Sequence, residues 1–147
     1  MTNVELAALF GELADIMEIA GENPFKIRAY RNVSGVLGRM RHPVEGMSRE
    51  KIEGIQGVGK AIAEKIQLAL KEGTFPTLEK WRQTGFSSLR PLLSIEGITI
   101  RELRAMMKEL NVASGEDLRK AFSDGRWDSF KGKNDDIKKA ITARFGE

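Results

Sequence analysis

The chain has 147 residues, 41% hydrophobic and 31% charged, the balance of a folded protein with one ordinary domain or two small ones. It has no cysteine and a single histidine, His42, which excludes disulfides, thiol chemistry and cysteine-held metal, and leaves a histidine-built metal site poorly supported. A net charge of +3 and a pI near 9.3 hint weakly at an anionic partner, and neither a membrane-spanning run nor a signal peptide is evident.

Helical periodicity dominates, so an all-α fold is expected. Thr2 and Glu5 have the spacing of a capping box, and Leu6, Leu9, Phe10, Leu13, Ile16 and Met17 follow at helical intervals to a stop at Gly21. Asn23 and Pro24 predict the start of a second helix, running to about Met40, with Gly35 and Gly38 weakening its far half. Residues 1–24 hold five acids and no base, whereas residues 25–41 hold Lys26, Arg28, Arg31, Arg39 and Arg41 and no acid. The two helices either pair by complementary charge or hold a basic face toward phosphate. "RHPVEGMS" reads as a loop, with Ser48 capping a short third helix.

Next comes "IEGIQGVGKAIAEKI", a glycine-punctuated turn opening onto a helix predicted over about 60–72 and stopped by Gly73. "TFPTLEKWRQTGF" predicts a short helix. "LLSIEGITIRELRAMMKEL" then repeats the scheme of turn and helix, with Thr99 and Glu102 at capping-box spacing. "ASGEDLRKAF" predicts a further helix and residues 135–143 a last one, preceded by "SFKGKNDDIKKAI", a third and degraded copy of the outline. Two small helical subdomains, 1–84 and 85–147, follow from this layout.

Glycines before a helix let another backbone approach closely, and the first helical turn exposes unpaired N–H groups. The "GVG" before the helix at 60–72 can therefore make a sequence-blind cradle for a phosphate, though a GxG alone is a weak signal. Lys60 has Glu64 four residues on, an ordinary surface partner. Lys65 has only Ala61, Ile62, Leu68 and Ala69 at helical spacing. Its amine is either a snorkelling ammonium on a buried stem or a nucleophile.

The glycine-turn pattern resembles the helix-hairpin-helix motif. "ENPFKIRAYR", "IQGVGKAIAEKI", a second hairpin and "GEDLRK" together resemble the amino-terminal region of family X DNA polymerases, most closely the bacterial members. The likeness covers nearly the whole chain, and the nucleotidyltransferase palm would begin about where this sequence ends. Polymerase activity is therefore not expected from these residues.

The resemblance implies non-sequence-specific binding of gapped or nicked DNA in repair. The first hairpin (Gly57, Val58, Gly59, Lys60) would grip the downstream strand, and the second (Gly97, Ile98, Thr99) the primer side. Thr99 stands where the family usually has glycine, which implies a weaker second grip. Carbonyls at Glu53, Ile55 and Val58 match a site for Na⁺ or K⁺, with no other cofactor required. Lys65 falls on the Schiff-base position of a 5′-deoxyribose-phosphate lyase acting on abasic DNA, Tyr30 on a tyrosine lining that site, and Lys26 on a ligand of the 5′-phosphate. Arg28 and Lys60 are cationic candidates added by this sequence. Phe25 replaces a histidine of the vertebrate enzymes, and Ala61 a lysine that would assist Lys65, so lyase efficiency is open. The partners expected are DNA with a 5′-phosphate end and a polymerase or nuclease catalytic domain, with no membrane, in the cytoplasm or on a nucleoid. The alternative function is a protein-interaction module of a repair polymerase or nuclease without catalysis of its own.

Overall fold

The computed structural model describes residues 1–146. Its secondary structure is helical, with no strand among the described residues, in line with the expected all-α class. The helices are α1 (Asn3–Ala20), α2 (Pro24–Arg39), α3 (Arg49–Glu53), α4 (Lys60–Glu72), α5 (Pro76–Arg82), α6 (Ile100–Leu110), α7 (Gly115–Ser123), α8 (Arg126–Ser129) and α9 (Asp135–Phe145), with a 3₁₀ run over Gly85–Ser94. None is long and apolar enough to cross a membrane. The chain divides into two compact units, Met1–Trp81 and the residues from Arg82 on.

In the first unit local signals set the helix ends. The Thr2 N–H donates to Glu5 Oε1 (3.0 Å) and the Glu5 N–H to Thr2 Oγ1 (3.1 Å), which closes the capping box. Gly21 ends α1 at φ +75°, its N–H donating to Glu18 O while the Glu22 N–H reaches Met17 O. Asn23 accepts the Phe25 N–H, and Pro24 fills the first turn of α2.

The core draws one stripe from each helix. Leu6, Phe10, Leu13 and Met17 of α1 meet Ile27, Val33 and Leu37 of α2, and Ala63, Ile66 and Ala69 of α4 complete it with Phe75. Phe10 stacks on Phe75 (centroids 5.1 Å) and lies 6.1 Å from Tyr30. Burying such a ring contributes about 1.5–3 kcal/mol. Ser34 Oγ donates to Ala7 O (2.7 Å) across the α1–α2 contact. Asn3 ties down the following loop: its amide donates to His42 O (2.8 Å) and accepts the Val44 N–H (2.9 Å). His42 itself is exposed.

The second unit differs from expectation in two places. Residues 85–94 form a 3₁₀ run, with Pro91 unable to donate and Ser88 and Ser94 hydroxyls donating to Gly85 O and Pro91 O. The four-residue α8 is too short to show periodicity. It buries Trp127 against Phe122 (4.9 Å) and Phe130 (5.7 Å), an aromatic cluster beneath α7 and α9. Arg126 pairs with Asp124 and donates to Leu110 O (2.6 Å), so it also holds the end of α6.

Candidate functional site

Both hairpins turn through the same bond. The Val58 N–H donates to Ile55 O (2.9 Å) and the Ile98 N–H to Ile95 O (3.1 Å), with Gly57 at φ +84° and Gly97 at φ +86°. The third position of such a turn requires positive φ, hence glycine. The degraded third copy keeps the bond, Lys133 N–H to Phe130 O at 3.4 Å, but Gly132 is not among the positive-φ residues. A Cβ at Gly132 would meet the Phe130 ring at 2.8 Å, so this glycine accommodates an aromatic side chain.

Val58 is only 6% exposed and anchors the first turn in the core. Its N–H is engaged within the turn, so of the expected gripping residues it offers neither side chain nor amide outward. Gly57, Gly59 and Lys60 are exposed. Gly59 is the N-cap of α4 with φ −93° and ψ −172°, extended backbone open to any residue, and nothing lies within 4 Å of where its Cβ would be. It supplies no side-chain cap, and no acid stands in the first turn of α4. The second hairpin is the converse. Thr99 Oγ1 accepts the Glu102 N–H (3.2 Å), and Glu102 brings a negative charge into the first turn of α6.

Arg49, which sequence reasoning passed over, fixes the hairpin to its helix. It donates to Gln67 Oε1 (2.7 Å) and Lys60 O (3.0 Å), and pairs with Glu53 (3.4 Å). The Arg49/Glu53 spacing signals the last of these, but the other two partners lie across the turn on α4. Lys60 makes no ion pair among the described residues; the expected pairing with Glu64 is not formed.

Lys65 is half-buried on the second turn of α4. Of its helical neighbours, Ala69 is in the core, Ile62 and Leu68 pack partly against it, and Ala61 is exposed. Tyr30 is half-buried against the same core, and burial raises the pKa of its phenol, keeping it protonated.

The basic stretch of α2 divides in use. Arg31 bridges Asp15 (3.0 Å) and Glu18 (3.3 Å) of α1, the complementary-charge pairing. Lys26, Arg28, Arg39 and Arg41 are exposed, without ion pairs among the described residues. A cleft of ≈ 390 Å³ beside the first hairpin is lined by Arg31, Asn32, Gly35, Arg39, Gln56 and Gly57. The cations it brings to the turn are thus Arg31 and Arg39, while Lys26 and Arg28 stand on the earlier turns of α2.

Of the three carbonyls expected to hold Na⁺ or K⁺, that of Glu53 closes α3 and those of Ile55 and Val58 stand at the two ends of the turn. The Ile55 oxygen already accepts the Val58 N–H and retains a second lone pair.

Comparison with known proteins agrees with this geometry. Residues 1–75 match the profile of a helix-hairpin-helix domain family. Over all 147 residues the chain is 26% identical to the DNA polymerase/3'-5' exonuclease PolX of Bacillus subtilis (strain 168), a family X polymerase. It spans 25% of that relative's length. With the profile matched over more than half of its length and both glycine turns in place, the chain belongs to the helix-hairpin-helix domain family.

Proposed function

We propose that the chain binds DNA in repair, gripping the phosphates of a gapped or nicked strand through the first hairpin without reading its bases. Gly59 is the observation that carries this. Its backbone suits any residue and no protein atom occupies the space beside it. A glycine there has no use inside the folded chain; it admits a close approach from outside. Behind it the first turn of α4 holds unpaired N–H donors and a partial positive charge, to which Lys60 adds a full one. Family membership and the likeness to PolX support DNA as the anion. Phosphate contacts make such binding salt-dependent and indifferent to sequence.

Lys26 and Lys60 are the proposed ligands of a 5′-phosphate at the gap, with Arg28 adding charge, and Na⁺ or K⁺ is proposed at the carbonyls of Glu53, Ile55 and Val58. Gly97, Ile98 and Thr99 form the proposed weaker contact. Lys65 is the proposed lyase nucleophile, with Tyr30 lining its site. Its neutral amine attacks the aldehyde carbon of a 5′-deoxyribose phosphate and loses water to give an imine. The imine acidifies the adjacent C–H; the proton leaves and the C3′–O bond breaks. DNA departs with a 5′-phosphate, and water hydrolyses the imine to free the sugar and the lysine.

Fluorescence anisotropy on a one-nucleotide-gapped duplex tests the binding. The 5′-phosphorylated gap should bind more tightly than the dephosphorylated one at matched salt, and Gly59→Val should remove most binding while leaving the fold intact. Equal affinity for both gaps would remove the 5′-phosphate pocket. Wild-type affinity in Gly59→Val would remove the hairpin grip itself.

A further inference from the structure

Along α2, Arg31, Gly35 and Arg39 follow at four-residue intervals and share one stripe of the helix. Gly35 makes a notch in that stripe. The Arg39 guanidinium lies back over it, with one terminal nitrogen 3.0 Å from where a Gly35 Cβ would be. Arg31 is held by two carboxylates of α1, whereas no carboxylate pairs with Arg39 among the described residues. Across the cleft stand the side-chain amide of Gln56 and the open, left-handed Gly57. No acidic residue lines this space, and its walls are mostly polar, so its chemistry suits an anion.

We propose that this cleft is a second phosphate subsite, in which Arg39 holds a phosphodiester of the strand next to the one gripped at Gly59 and Lys60. The proposal rests on the DNA-binding reading and deepens it. Gly57 belongs to both the turn and the cleft wall, so a strand seated on the hairpin amides passes into the cleft without leaving the surface. A guanidinium fork matches two phosphate oxygens, and the side-chain amides of Asn32 and Gln56 supply donors that need no particular base. Gly35 has a use here: it leaves room for the guanidinium to lie back along the helix at the cleft.

Salt-dependent binding of the full chain to the gapped, 5′-phosphorylated duplex provides the test. Arg39→Gln should lower the slope of log affinity against log salt by about 0.9, one phosphate contact, and weaken binding about fivefold. Gly35→Ala keeps the charge and improves helix propensity, but its methyl displaces the guanidinium; it should weaken binding about threefold with no loss of melting temperature. Lys71→Gln removes one charge at the far end of α4 and should leave affinity within about twofold. The subsite is overturned if Arg39→Gln matches Lys71→Gln, or if Gly35→Ala binds as wild type. Inorganic phosphate binding that requires Arg39, together with unchanged duplex affinity in Arg39→Gln, would assign the cleft to a free anion and overturn the strand assignment. If Gly59→Val loses binding while Arg39→Gln does not, only the subsite fails; if wild type binds no DNA, the underlying reading fails with it.

Discussion

Lys65 is half-buried, between exposed Ala61 one turn before it and buried Ala69 one turn after. As the proposed nucleophile it should be the main amine trapped by borohydride on an incised abasic site. Lys65→Ala should remove most of the trapped adduct and keep gap affinity within about threefold, since backbone amides do the gripping. Lys65→Arg should be equally inactive, because a guanidinium stays protonated. Wild-type adduct levels in Lys65→Ala, read on a denaturing gel, would return the residue to a structural role. Its apolar setting was legible from helical spacing alone. Arg49 was not: its bonds to Lys60 and Gln67 span 11 and 18 residues, and no local pattern announces a partner that only the turn brings near. The same holds for Arg39, whose position depends on a missing side chain at Gly35.

The two hairpins share a turn and differ in how the following helix begins. Gly57 is fixed by its positive φ and Gly59 by the space it leaves, so the same substitution should act differently at each. Gly57→Val should lower stability by about 1 kcal/mol or more through left-handed strain, whereas Gly59→Val should leave the urea midpoint nearly unchanged. Thr99→Ala should cost about 1 kcal/mol through its lost cap and leave gap affinity unchanged. Loss of DNA binding in a folded Thr99→Ala protein would reverse this ranking of the hairpins. The repeat, its caps and its glycine stops were legible because turns and caps are set by residues three or four apart. The separate duties of the two glycines were not, because a sequence carries no dihedral angle. The 3₁₀ geometry of the short helix at 85–94 and the whole of α8 were hidden, being shaped by proline, serine and an aromatic cluster instead of a helical period.

At the scale of the molecule, the first unit holds its own core, both charged faces of the α1–α2 pair and the first hairpin. Residues 1–81 alone should therefore melt cooperatively and bind the gapped duplex within about tenfold of the full chain, if the second hairpin grips as weakly as its cap implies. A non-cooperative melt would show that the unit depends on the remainder. Acid sensitivity should be distributed over both units. Hydrogen bonds from Thr2 lower the pKa of Glu5; the Arg119 and Arg126 guanidiniums do the same for Glu116 and Asp124. A carboxylate with a depressed folded pKa stabilises above its unfolded value, and that stability is lost as pH falls through the folded one. Melting temperature should thus be flat near neutrality and decline below about pH 4.5, with circular dichroism as the readout. These carboxylates are exposed, so the decline should be shallow.

An uncapped helix end makes tolerance to heat and performance pull in opposite directions at Gly59. Aspartate there would place a carboxylate on the first-turn amides of α4, a built-in imitation of the anion they are left open for. Gly59→Asp should raise the melting temperature slightly while excluding DNA, and the wild-type amides at 60–62, fast in hydrogen exchange when the chain is alone, should slow only when DNA is bound. A screen that selected this protein for thermal tolerance alone would enrich variants that have filled their own binding site.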